Sequence, residues 1–156
     1  MIDLMEVQRV RTCELRGLRS IAALVPHAGA MVLLGRVEVW DADGILCRAV
    51  SHLDASNPLR RDGQLAACCG IEYALQAAVL HGALTAGGVA QRAGRVAALR
   101  AVALHVERLD VAGFGELRVA ARLERQEGAG IIYALDVQAA DGTPLLSGRA
   151  AIALPA

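Results

Sequence analysis

Residues 66 to 84, AACCGIEYALQAAVLHGAL, constrain this chain more than any other stretch. Apolar residues recur there at helical spacing, with Ile71, Leu75, Ala78, Val79 and Gly82 near one stripe, and most of the remaining circumference is apolar as well. A helix over about 68 to 84 with so little polar face must be wrapped on nearly every side. A bilayer would also hide it, but Glu72 and Gln76 near its middle argue against that, because an acid at membrane depth costs kilocalories. No membrane span is expected.

The wrapping material is read from a period of two. In ELRVAARLER, residues 116 to 125, Leu117, Val119, Ala121 and Leu123 share one face, while Glu116, Arg118, Arg122 and Glu124 lie opposite. After the glycine turn QEGAG, IIYALDVQA places Ile131, Tyr133, Leu135 and Val137 on one face. DGTP then turns the chain into LLSGRAAIAL, a third consecutive strand. Upstream, RVAALRAVALHVERL reads as a strand from its valines. MVLLGRVEVW and ILCRAV flank DADG, whose Asp-Gly pair signals a hairpin. The order of elements predicts the α+β class, with an antiparallel sheet of about six strands wrapped around a long central helix.

Length and composition narrow the function. At 156 residues the chain suits one domain, residues 1–156. Sixteen basic and sixteen acidic residues leave no net field to attract nucleic acid or an anionic membrane. Aromatics are 3% of a chain that is 55% hydrophobic, so aliphatic surface left over from the core is expected to be covered in an oligomer. The charged start MIDLMEVQRVRTCELRG does not resemble a signal peptide, which points to the cytoplasm. Cysteines 13, 47, 68 and 69 have no zinc-ligand spacing and are expected to be reduced packing residues. His52, His81 and His105 carry no motif and are read as structural or surface residues.

Two features carry chemistry. Glu72 lies near the start of the wrapped helix, with Gln76 one turn later on the same side. A capping role in the helix dipole is worth about 0.3–1 kcal/mol, less than the cost of burying the charge. His27 lies in PHAGAM, where Pro26 fixes its own φ and biases Val25 toward extended backbone. A lone histidine before a strand is ordinarily a loop residue, so the two features are judged together.

PHAGAMVLLGRV followed by GIEYALQAAVLHGAL resembles the hotdog-fold 3-hydroxyacyl-[acyl-carrier-protein] dehydratases, most closely the dehydratase-like branch of aryl polyene clusters. The likeness extends over about residues 20 to 154. It implies a single hotdog domain in which His27 and Glu72 are catalytic. It also implies a dimer whose sheets join and whose sites pair the histidine of one subunit with the acid of the other. The chain departs from the housekeeping members at Gly35, where an acid is usual, and in SNPLRRDGQLAACCG, which replaces a phenylalanine- and proline-rich loop.

For such a reaction His27 would take the C2 proton and Glu72, its pKa raised by burial, would protonate the leaving hydroxyl. Backbone N–H groups around Cys69 to Ile71 would hold the thioester carbonyl, with Gly70 permitting close approach. Gly70, Ile71 and Gln76 are thus the expected substrate contacts. These groups suffice, so no cofactor or metal is expected. The substrate carrier is acyl carrier protein or coenzyme A, and Arg60, Arg61, Arg92 and Arg95 are the cations that such a carrier would meet. Two rival readings stand beside dehydration: a hotdog acyl-thioesterase, and a subunit without turnover of its own that completes a related dehydratase. The partner is accordingly a second copy in a homodimer or larger homo-oligomer, or another hotdog subunit in a heterodimer.

Overall fold

The computed structural model describes residues 20–156, so Cys13 and the charged start of the chain lie outside the described residues. A short helix α1 (Ile21–Leu24) leads through a single 3-10 turn (Gly29–Met31) to β1 (Arg36–Trp40) and β2 (Gly44–Ala49). The central helix α2 (Gly70–Thr85) follows, then β3 (Arg95–Leu104), β4 (Leu117–Glu127), β5 (Gly130–Gln138) and β6 (Pro144–Ala153). All strands pair antiparallel in one six-stranded sheet of order β1-β2-β4-β5-β6-β3. This is the α+β hotdog arrangement, a sheet wrapped around one long helix.

Local chemistry explains the elements. The β1–β2 turn is closed by the Asp41 carboxylate, which accepts from the N–H groups of Asp43 at 2.7 Å and Gly44 at 2.9 Å. Leu117, Val119 and Ala121 of β4 and Tyr133, Leu135 and Val137 of β5 are buried in the same core as α2, as alternation requires. Ala74, Ala77 and Ala78 bring the helix close to that face. Each fully buried Leu contributes about 1.5–3 kcal/mol, and Leu80, Leu117 and Leu146 are all fully buried.

Two expectations need correction. The strand expected from Met31 begins only at Arg36, because side chains rather than a neighbouring strand take up the backbone of Leu33. Its N–H donates to Gln76 Oε1 at 3.0 Å, and its carbonyl accepts from Ser51 Oγ at 2.7 Å. The helix stripe through Ile71, Leu75, Val79 and Gly82 is also not the most buried one. Those residues are half-buried, while Tyr73, Ala74, Ala77, Leu80 and Leu84 face the core.

Residues Ala67–Thr85 are long and apolar enough to cross a membrane by composition, but 61% of that window is buried inside the protein. It is the core helix. At the far side of the sheet, β3 has one edge unpaired among the described residues and exposes Val96, Leu99, Val102 and Leu104. Cys47 is buried, and burial pushes its thiol up to about 12. Cys68, expected to pack inside, is exposed.

Candidate active site

The proline turn and the start of α2 converge. Val25 ends α1 in extended backbone, φ −99° and ψ 148°, as the following Pro26 demands. Gly29, at φ 58°, then turns the chain in the left-handed region that glycine tolerates best. Gln76 ties this loop to the helix. Besides receiving the Leu33 N–H, it donates from Nε2 to the carbonyl of Met31 at 2.5 Å, and its side chain is fully buried.

The result is a contact between the two candidate residues. His27 Nε2 lies 3.0 Å from Glu72 Oε1, with side-chain exposures of 24% and 33%. Nδ1 of His27 is buried and has no hydrogen-bond partner among the described residues. Glu72 stands in the first turn of α2, where the helix dipole favours its negative charge. The pair opens into a cavity of about 240 Å³ walled by Pro26, Leu75, Val79, Gly94, Val96 and Ile152.

Several expected details come out differently. The resemblance pairs the histidine of one subunit with the acid of the other; within a single chain the two already lie in contact. Glu72 is one-third exposed, so the deep burial expected of it is absent. The N–H of Cys69 donates to the Ala66 carbonyl at 3.0 Å, and that of Gly70 turns back onto Ala67, because the 3-10 turn Ala67–Cys69 runs directly into α2. Those donors are occupied. Gly70 faces the core, where an added Cβ would meet Leu146 and Leu109 at 3.3 and 3.5 Å, and Ile71 packs partly buried against the same core. Gln76, expected as a substrate contact, has both ends of its amide bonded to the backbone of the His27 loop.

Other sequence candidates take structural places. Arg60 is held by Asp110 and by the carbonyls of His52, Asp54 and Gly63, so it is not a free cation for a carrier. Arg61 bonds the carbonyls of Pro58 and Arg60. His52 is fully buried, and burial lowers its pKa. His81 is buried between the Asp41 carbonyl, 2.8 Å from Nε2, and the Tyr133 hydroxyl, 2.7 Å from Nδ1. The carbonyl requires a proton on Nε2, and burial lowers the pKa of the imidazole. No cluster of three metal-binding side chains occurs among the described residues.

Comparison with known proteins gives the family and the fold. The ApeP-like family model, described as ApeP dehydratase, matches residues 19–156. The chain belongs to the ApeP-like family. No curated protein matches it. Among solved structures, the dehydratase heterocomplex ApeI:P from Xenorhabdus doucetiae is 21% identical, with a TM-score of 0.73 over 87% of this chain and 91% of that one. A Q49A mutant of thioesterase PA1618 from Pseudomonas aeruginosa is 18% identical, with a TM-score of 0.56 over 78% and 81% of the two chains. The PaaI protein of the E. coli phenylacetic acid degradation operon is 12% identical, with a TM-score of 0.55 over 75% and 80%. At these identities the structures establish a fold shared with both dehydratases and thioesterases. This ApeP-like chain has that hotdog fold.

Sequence reading passed over the cavity wall itself. Val79, Gly94 and Ile152 carry no chemical signature, and only the fold places them around the His27–Glu72 pair.

Proposed function

We propose that this ApeP-like protein is a dehydratase that removes water from a 3-hydroxyacyl thioester to give a 2-enoyl product. The observation that supports this reading best is the 3.0 Å contact between His27 and Glu72 in a partly apolar cleft. Elimination needs a base at C2 and an acid at the 3-hydroxyl. His27 takes the C2 proton, the freed electron pair forms the C2–C3 double bond, and the C3–O bond breaks as Glu72 protonates the departing oxygen. At the start Glu72 carries the proton that it gives to the departing oxygen and His27 is neutral; at the end His27 carries the proton taken from C2 and Glu72 is a carboxylate. Across their 3.0 Å separation the imidazole passes the C2 proton to Glu72 once water has left, which restores the starting state.

Gln76 acts here as a positioning residue: it fixes Met31 and Leu33, and through them the His27 turn, against the helix that carries Glu72. Incubation with a 3-hydroxyacyl thioester is expected to give conjugated enoyl absorbance without thiol release. Thiol release without the enoyl product would instead favour hydrolysis, the reading that the fold shared with thioesterases supports.

The open edge of β3 supports assembly with a second hotdog subunit, either a copy of this chain or a related one as in the ApeI:P heterocomplex. Backbone groups that are unpaired among the described residues, flanked by exposed Val96, Leu99, Val102 and Leu104, form a template for another strand. A lysine in place of Leu99 is expected to shift sedimentation from the assembled species to the monomer; an unchanged profile would place the interface elsewhere.

A further inference from the structure

Behind the cavity at His27 and Glu72 lies a second one, of about 410 Å³, and the two share Val79, Gly94 and Ile152 as walls. Glu72, Leu75, Val79 and Gly82 follow one another at three- and four-residue steps and so form a single stripe along α2. Ten residues separate Glu72 from Gly82, which is about 15 Å of helix rise, the reach of an extended acyl chain of roughly a dozen carbons.

The chamber suits an apolar occupant. Ala78, Ile131, Ile152 and Leu154 line it, and the polar side chains His81 and Tyr133 satisfy each other, while Thr85, Gln91, Arg92 and Gln126 also border it.

Gly82 is the residue in this wall that packing does not explain. It sits inside a helix, where Ala is more stable by roughly 1 kcal/mol. A Cβ there would meet nothing within 4 Å, and its backbone carbonyl is bonded in the ordinary way by the Ala86 N–H. Gly94, by contrast, is required by packing, since its Cβ would lie 2.6 Å from Ile152 Cγ2. What the missing side chain at 82 preserves is chamber volume.

We infer that the chamber beyond Val79 holds the tail of a long, apolar acyl thioester and that Gly82 sets the longest chain the site accepts. This inference rests on the thioester reading of the His27–Glu72 cleft. Its test does not need the reaction. Acyl-pantetheine amides of four, eight and twelve carbons can lose neither water nor thiol, and their binding is measured by equilibrium titration against the full chain. Affinity is expected to rise with length in the unsubstituted protein. Gly82→Leu should weaken the twelve-carbon amide at least about tenfold while leaving the four-carbon amide within about twofold. Gly82→Ala, which favours the helix, should give a smaller loss of the same kind, so the test does not depend on one variant folding well. Affinity independent of length in the unsubstituted protein, or equal effects of Gly82→Ala at every length, would overturn the inference. Neither result would bear on whether His27 and Glu72 eliminate water, which the enoyl assay reads separately.

Discussion

Turnover of a 3-hydroxyacyl thioester is expected to fall at least about 10²-fold in His27→Ala, and by a comparable factor in Glu72→Gln. The two residues lie 3.0 Å apart and act in one elimination step, so their losses should not multiply: the double variant should be no slower than about the slower single variant. Folding should be little affected, because both side chains are partly exposed and an ion pair in that setting contributes about 0–1 kcal/mol. A melting curve therefore accompanies each rate measurement. Unchanged turnover in both single variants would sink the assignment, and losses that multiply fully in the double variant would show that the pair does not work as a unit.

Hydrophobic period alone makes the sheet and helix legible in the sequence. The alternation in residues 117–123 and 131–137 survives as paired strands because each apolar face meets α2. The strand that failed, from Met31, looks identical in period; its backbone is taken by Gln76 and Ser51, both distant in sequence. Gln76 itself was visible only as a polar residue in an apolar helix, which does not tell a substrate contact from a tether. The occupied N–H groups at Cys69 and Gly70 were hidden for another reason. A helix N-terminus ordinarily leaves its first donors free, and only the 3-10 turn at Ala67–Cys69 removes them. The cavity wall was least legible of all, since apolar residues lining a tunnel and apolar residues filling a core have the same composition.

The loop that delivers the chain to Glu72 depends on one carboxylate, which makes it the second large effect. Asp110 accepts from Arg60 at 3.1 Å, from Arg108 Nε at 2.9 Å and from the Leu65 N–H at 3.1 Å, while its side chain is only 3% exposed. Arg60 in turn holds the carbonyls of His52, Asp54 and Gly63, so the whole passage from residue 52 to 65 hangs on this ion. Asp110→Ala strands the Arg60 guanidinium in a largely buried place, a loss of roughly 3 kcal/mol, with the more exposed Arg108 counted for little. For a chain of this size that lowers the melting temperature by roughly 6–12 °C. The Arg108 guanidinium holds the Asp110 carboxyl well below the usual carboxylate range. Its stabilisation is therefore complete at neutral pH and is lost as pH falls below about 4 toward the depressed folded value. The gap in melting temperature between the unsubstituted protein and Asp110→Ala should accordingly be widest near neutrality and close under acid. A gap that stays constant down to about pH 2 would mean that the ion pair is not what holds the loop. Because Asp110 touches neither His27 nor Glu72, its variant should retain turnover at temperatures where it remains folded, the reverse of the pattern expected for His27→Ala.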